Sequence, residues 1–492
     1  MKQSLTRMCF LVFALLVFAV PALAQEAAIE SVCLITNEQG RVNDGTFNTF
    51  AYNGMQRAAE DYDLETTFIE TVAATDYETN FATCVGEGYD VIVTVGFLIT
   101  DATAAAAAQY PDTLFIGVDQ FYANPLPNLV GLQFREDQGG FLAGAMAALM
   151  TESGTVGGVY GIAIPPVVKF RNGFEAGARY INPDINLLGV YIDDFNAPDR
   201  GAAAAEQFIG EGADVIMGAG GPTGSGAITY AASAGVLVIG VDQDEYFTTF
   251  GGGETPGAEN LITSAIKRVD NGVYDMIAAA AEGEPFPAGS LYILEVANDG
   301  IGFAPANEAD VPQEVTDQVQ AILEGLRDGS IVTGVNPVTG EVLPTLAEIV
   351  VSSAEAQTPE FTNLLALVEG AGLTETLATG GPFTVFAPTD AAFAVALEAY
   401  NQTAEEMYAD QGIAAALATY HVVPGALTSS MLASMADANG LVTLTTAAGT
   451  DITLRISESA VMVNDVATVL VPDVPARNGI IHVIDTVLLP PA

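Results

Sequence analysis

Basic residues are scarce: Lys and Arg together number 14 against 61 acids, a formal net charge of −47 over 492 residues. The acids are ordinary in number for this length, since about a quarter of residues are charged in an average protein, so what is missing is base. Such a surface repels phosphate backbones and anionic lipid and excludes nucleic acid as a partner. Histidine occurs only at His421 and His482. The first three hundred residues therefore contain no His-based acid, base or nucleophile and no His/Cys metal cluster. Long apolar runs are also lacking after the first 24 residues, where none reaches the roughly 18 residues that span a bilayer. Hydrophobic residues nevertheless make up 50% of the chain, enough for packed cores in two to four domains.

Residues 1–24 read as a signal peptide. Lys2 and Arg7 form its charged start, Phe10 to Val20 its apolar core, and Ala22-Leu23-Ala24 a small-x-small cleavage site. Cys9 lies inside the apolar core, so no lipid attachment site is expected. Cleavage after Ala24 would leave Gln25 at the terminus of an exported protein, periplasmic or extracellular, with no transmembrane helix in the mature chain. Cys33 and Cys84 remain after cleavage. They are read either as a disulfide, which an oxidising compartment favours, or as two small buried residues; sequence does not give the Cα separation that decides.

One pattern occurs twice. Asp90 to Gln120 reads DVIVTVGFLITDATAAAAAQYPDTLFIGVDQ and Asp214 to Gln243 reads DVIMGAGGPTGSGAITYAASAGVLVIGVDQ. Each copy is a buried strand, a glycine turn, an Ala-rich helix and an apolar strand ending in IGVDQ, the length of one βαβ unit. Asp119 and Asp242 should then stand at the carboxyl ends of parallel strands, where open α/β sheets bind ligands. Around these copies strands and helices alternate from Val32 to Val296, arguing for parallel sheets covered by helices in two lobes. Arg327 to Thr345 is rich in Gly, Pro, Thr and Asn, lacks an apolar period and reads as a linker. Beyond it the texture is α+β. The expected units are residues 25–335 and 345–492, separated by 336–344 and folding independently, with protease cutting between Asp328 and Thr345.

Candidate binding chemistry collects at strand ends. A carboxylate accepts two or more hydrogen bonds and suits the vicinal hydroxyls of a sugar, so the paired Asp119 and Asp242 are favoured over simple turn formers. Lys267, read as lying on a helix from Glu259 to Ala281, is placed to orient those acids and donate to a ligand oxygen. Asn43-Asp44-Gly45-Thr46-Phe47-Asn48 follows the first strand and opens a helix. Asp44 alone reads as a turn former and cap. Phe47 is positioned to stack on a planar base, with Phe195 from the other lobe closing the sandwich, although each alone reads as core. The glycines of Gly218 to Gly226 lack both P-loop and dinucleotide spacing and read as a strand-to-helix turn lining a cleft. No cofactor is expected. No acid companion to Asp119 or Asp242 is evident, which disfavours an enzyme such as a nucleosidase.

VNDGTFN (Val42 to Asn48), DVIVTVGF (Asp90 to Phe97), GFEAGARYINPDI (Gly173 to Ile185), the GAGGPTGSG turn, VIGVDQD and ITSAIKRVDNGVYD (Ile262 to Asp275) resemble, in order and spacing, the basic membrane protein family of extracytoplasmic solute-binding proteins, of purine-nucleoside-receptor type. The resemblance covers residues 30 to about 335. It implies the two Rossmann-like lobes of a periplasmic-binding-protein type I fold, closing on a nucleoside for an ABC importer and its permease. It further implies that Phe47 stacks on the base, Phe195 stacks opposite, Asp119 and Asp242 hold the ribose and Lys267 assists; Asp44 and Asn48 belong to the motif that carries Phe47. The family commonly shows Thr-Asp-x-Gly-Gly after the first strand, whereas this chain has Thr36-Asn37-Glu38-Gln39-Gly40-Arg41. Asn37 thus occupies the position expected to read the base edge.

Residues 345 to 491 resemble a fasciclin-like domain through FTVFAPTDAAF (Phe383 to Phe393), YHVVPG (Tyr420 to Gly425) and NGIIHVIDTVLLP (Asn478 to Pro490). This implies an extracellular adhesive module with a surface partner. Within it Asp390 is expected to cap the helix that begins at Ala391, and both histidines are read as buried hydrogen-bonding residues. Two functions follow: a binding protein that feeds an importer, with the C-terminal domain as tether, or a surface adhesion or sensory protein whose lobes are not coupled to transport.

Overall fold

The computed structural model describes residues 28–491 except 125, 287–290, 401–402 and 458–459; the expected signal peptide and its cleavage site lie outside the described residues. The first lobe is built from β1 (Ser31–Thr36), α1 (Phe47–Tyr62), β2 (Glu65–Ile69), α2 (Tyr77–Gly86), β3 (Val91–Val95), α3 (Thr100–Gln109), β4 (Leu114–Val118) and β5 (Leu129–Phe134). After α4 (Glu136–Met150) the second lobe repeats the plan: β6 (Thr155–Tyr160), α5 (Pro165–Ile181), β7 (Asn186–Tyr191), α6 (Pro198–Gly210), β8 (Val215–Ala219), α7 (Gly221–Ser233), β9 (Leu237–Asp242) and β10 (Leu261–Lys267). Then come α8 (Val269–Ala281), β11 (Leu291–Leu294), β12 (Ile301–Phe303) and α9 (Gln313–Asp328). The sheets run β11-β5-β4-β3-β1-β2 and β12-β10-β9-β8-β6-β7, parallel throughout except for β12. The central strands are apolar on both faces because helices cover both sides.

The repeated DVI starts have a local cause. Asp90 Oδ2 accepts from the backbone N–H of Glu30 at 2.7 Å and Ser31 at 3.0 Å, and Asp214 Oδ2 accepts from Glu152 and Ser153, both at 2.7 Å. Each aspartate pins the entry of the strand next to its own. The repeated IGVDQ ends share a backbone: Asp119 has φ 61° and Asp242 φ 69°. That left-handed conformation is one aspartate tolerates better than most residues. Cys33 on β1 and Cys84 on α2 are joined, their Cα atoms 6.1 Å apart.

Between β5 and α4, between β10 and α8 and between β11 and β12 the chain passes from lobe to lobe: α4 packs on α5, β10 and β12, while α8 packs on α1. The first two passages carry the same clamp. Arg135 donates Nε and Nη2 to the two oxygens of Asp137, each at 2.8 Å, and Arg268 does the same to Asp270 at 2.9 Å. Both aspartates stand in the first turn of a helix, where its dipole favours negative charge.

Lys267 is not on a helix. Leu261 to Lys267 is a strand, buried between β9 and β12, and the helix starts only at Val269. Ile262, Thr263 and Ile266 are the β-branched signature that a helical period through this stretch ignores. Nor is the Gly- and Pro-rich connector loose: Arg327 and Asp328 end α9, Val335 bridges to Val342, and Thr333, Val335 and Leu343 are buried. Thr333 Oγ1 donates to Asp137 Oδ2 at 2.5 Å and Asn172 Nδ2 to the Gly340 carbonyl at 2.7 Å. The connector thus packs on the crossover and the second lobe, and at Leu343 and Pro344 on Arg477 of the C-terminal domain, through polar and backbone contacts and isolated apolar side chains that make no apolar period.

The C-terminal domain places α10 (Leu346–Ala354), α11 (Thr362–Ala371), α12 (Thr374–Thr379), α13 (Asp390–Tyr400), α14 (Ala404–Tyr408), α15 (Gln411–Tyr420) and α16 (Ser429–Met435) with a seven-stranded mixed sheet. Asp390 caps the wrong helix for the sequence reading. Its carboxylate accepts from the backbone N–H of Thr362 and Asn363 at 3.1 and 2.8 Å and from both their side chains, so it caps α11, while Thr389 Oγ1 accepts from Ala392 N–H. Asp390→Ala is expected to cost about 1–2 kcal/mol of this domain's stability, more than an exposed first-turn acid would, with urea unfolding as the measurement. A loss below about 0.5 kcal/mol would contradict the cap.

Candidate ligand cleft

The carboxyl ends of both sheets face one cavity of about 230 Å³. Asn37, Asp44, Phe47, Asn48, Asp119, Phe195, Asp242 and Lys267 all line it, although they come from the loop after β1, the start of α1, the ends of β4, β9 and β10 and the loop after β7. Sequence reasoning missed one wall: Ile164, Pro166, Val167 and Phe170, at the start of α5, are apolar and carry no motif.

Asp119 and Asp242 differ in partners. Lys267 Nζ lies 2.8 Å from both Asp119 oxygens and hydrogen-bonds Oδ2. Burial pushes the Asp119 carboxyl up; Lys267 opposes this and Glu136 adds to it. Asp242 accepts no hydrogen bond among the described residues. Burial, opposed by Lys267 and reinforced by Asp119 and Glu245, raises it to about 7. Lys267 itself is held above the ordinary lysine range: burial would lower it, but Asp119, Glu136 and Asp242 prevail. Its ammonium also stands 4.9 Å from the Phe47 ring centroid and 4.8 Å from that of Phe134, close enough for cation–π attraction.

The remaining positions divide into spent and available groups. Asp44 is spent: Oδ1 accepts from Thr46 N–H, Thr49 N–H and Thr49 Oγ1, and Oδ2 from the Asn48 backbone and side chain. That is the turn and cap, and it holds the loop bearing Phe47. Asn48 gives its amide nitrogen to Asp44, leaving buried Oδ1 unpartnered, as is the Thr46 hydroxyl. Asn37 is seated between two glycines; a Cβ at Gly40 would lie 2.6 Å from its Oδ1 and one at Gly96, where φ is 106°, 3.3 Å from its Cγ. Phe195 rests on Gly161 and Gly220, whose Cβ atoms would fall 2.5 and 3.4 Å from its ring. The Gly218–Gly226 turn thus makes room for an aromatic ring at the cavity wall. Across the lobes Gln243 Nε2 donates to the Gly45 carbonyl.

No three His, Cys, Asp or Glu side chains are grouped for a metal among the described residues, and no described helix is long and apolar enough to cross a membrane.

Residues 31–328 match the family described as ABC transporter substrate-binding protein PnrA-like, and residues 359–490 match the fasciclin domain. The chain is 30% identical over 316 residues to the CD4+ T-cell-stimulating antigen of Listeria monocytogenes, covering 61% of this chain and 87% of that protein. It is 29% identical over 311 residues to the ABC transporter nucleoside-binding protein BmpA of Lactococcus lactis, covering 61% and 87%. An ABC transporter system solute-binding protein from Aeropyrum pernix K1 superposes with a TM-score of 0.54 at 25% identity, over 62% of this chain and 92% of that one. Two doubly wound lobes around a cavity are the architecture that the Aeropyrum solute-binding protein shares. The chain belongs to the PnrA-like family of ABC transporter substrate-binding proteins, here carrying a C-terminal fasciclin domain.

Proposed function

We propose that the cavity captures a nucleoside and that the protein, exported and cleaved after Ala24, delivers it to the permease of an ABC importer. The observation that carries this reading is the pair of strand-end carboxylates, Asp119 and Asp242, on the same cavity as Phe47 and Phe195. Ribose hydroxyls would donate to the carboxylates and the base would lie against the rings. The name of the Lactococcus relative agrees with it. Charge argues for a nucleoside over a nucleotide: among the described residues the cation inside the cleft, Lys267, is already flanked by Asp119 and Glu136 at 2.8 Å, and Arg41 at the rim is largely exposed. A phosphate would meet uncompensated carboxylates.

Calorimetric titration with adenosine, guanosine, inosine, uridine and a nucleoside 5′-monophosphate tests this. Asp242→Ala leaves ligand hydroxyls unpaired and is expected to weaken binding by about 1.5–3 kcal/mol, ten-fold or more. Phe47→Ala should weaken all bases alike, and Asn37→Asp should reorder them, since an amide donates and accepts where a carboxylate only accepts. A parent protein that ignores every nucleoside while binding a sugar or amino acid sinks the nucleoside assignment.

The fasciclin domain is read as an adhesive or tethering module outside the cytoplasm. The division into residues 25–335 and 345–492 is part of the same reading, with 336–344 as the linker: Gly340 sits against Lys169 and the Leu343 and Pro344 carbonyls accept from Arg477.

A further inference from the structure

Behind the cleft lies a second ion pair. Glu136, the first residue of α4, is fully buried; its Oε1 is 2.8 Å from Lys267 Nζ and its Oε2 is 2.6 Å from Lys169 Nζ. Lys169 on α5 is 1% exposed and also donates to the Phe134 carbonyl at 2.7 Å. Asp119, Lys267, Glu136 and Lys169 thus alternate in sign along an unbroken ladder from the cavity wall to the buried side of α5. There the connector closes it: a Cβ on Gly340 would stand 2.8 Å from the Lys169 backbone nitrogen and 3.1 Å from its Cγ. Lys2, Lys169 and Lys267 are the only lysines in the sequence, and the two described ones are both in this ladder. Neither Glu136 nor Lys169 lines the cavity.

We propose that Glu136 and Lys169 are positioning residues for the ligand site: Glu136 anchors the Lys267 ammonium against Asp119, and Lys169 neutralises Glu136 so that the anchor does not overload the cleft with negative charge. The consequence for binding rests on the reading that Asp119 and Asp242 hold the ligand. A lone Glu136 would compete with Asp119 for Lys267 and repel both cleft acids. With Lys169 beside it, and with the N-terminus of α4 favouring its charge, Glu136 holds Lys267 while adding little net charge. The groups facing the acid pair are Lys267, Glu136 and Lys169 towards Asp119, and Lys267, Glu245 and Glu136 towards Asp242. Glu245 is itself occupied by Ser225, Thr249 and the Val241 N–H.

Carboxyl NMR of full-length, ligand-free protein labelled at aspartate tests the proposal, with Asp119→Asn and Asp242→Asn identifying the signals. Glu136→Gln should lower the titration midpoint of the acid pair by about one pH unit and Lys169→Met should raise it by about as much. A merely structural pair would lower stability in both variants and leave the midpoint alone. Unmoved midpoints, or shifts of the same sign, overturn the proposal. If either single variant fails to fold, the charge-balanced double variant is read by its Lys267 ammonium signal. In 15N-lysine-labelled protein the Lys267 ammonium signal, sharp in the parent, should broaden beyond detection once its anchor is gone; a signal unchanged from the parent overturns the proposal. None of these readouts needs a ligand, so a parent that binds no nucleoside removes the ligand reading and leaves this one to stand or fall alone.

Discussion

Replacing Lys267 by Met is expected to cost about 3–5 kcal/mol of folding stability in the lobes at pH 8, because it leaves Asp119 and Glu136 buried around a missing cation. Asp119 at least borders the cavity, but Glu136 is fully buried and Lys267 only 2% exposed, so solvent does little to replace the cation on the Glu136 side. The loss should be smaller at pH 5, where the orphaned carboxyls can protonate and shed the charge whose burial is costly. The proposed nucleoside binding should vanish with it, since Asp119 loses the partner that orients it. Arg41→Met is the control, removing one positive charge from the exposed rim, where the effect should stay within about 0.5 kcal/mol. Urea unfolding of both variants at the two pH values is the measurement. A Lys267→Met protein no weaker than Arg41→Met would mean the ladder is not what holds the lobes together at the cleft.

The fasciclin domain is expected to lose about 3 kcal/mol of stability as pH falls from 6.5 to 4, through His421. Burial depresses this histidine from 6.5 to about 4, against a smaller opposing effect of its bond to the Leu417 carbonyl. Its ring is committed as a neutral imidazole: Nδ1 donates to Leu417 O at 2.8 Å and Nε2 accepts from Leu488 N–H at 2.9 Å. Below 6.5 the unfolded chain takes a proton that the folded domain refuses, so stability falls with pH until about 4 and then levels. His482 acts in the same direction, since burial lowers it as well. Asp390 acts elsewhere: burial would raise it, but the amides and hydroxyl of α11 hold it below the usual range, so its contribution is lost only below the ordinary carboxyl value of about 4. Comparing thermal unfolding of the parent and His421→Gln from pH 7 to 4 isolates the histidine. If the two proteins keep a constant difference across that window, His421 is not neutral in the fold.

Much of this was legible in the residues. The two IGVDQ strands announced parallel βαβ units and put carboxylates at sheet ends, because apolar runs of strand length between glycine turns have few other solutions. Phe47 and Asn48 could be placed because they open a helix directly after a strand. What escaped were features set by tertiary partners. Lys267 was misplaced because a strand buried on both faces lacks the alternation that separates it from a helix. The apolar wall of α5 at Ile164 and Phe170 looks like any buried helix face, and only the opposing lobe makes it a cavity lining. Asp390 caps a helix nearly thirty residues earlier, a pairing no local pattern encodes. Glu136 and Lys169 gave no motif at all; the scarcity of lysine was the one signal available, and it pointed to Lys169 alone.

Both described lysines are buried in that ladder, so the described surface presents no lysine amine. Reagents that attach dyes, biotin or solid supports through primary amines would find no lysine to modify there unless the lobes part. Conjugation driven to completion would then acylate Lys267 and remove the charge that orders the cleft. Coupling through the abundant surface carboxyls avoids this, and slow uptake of an amine-directed label would report how often the cleft opens.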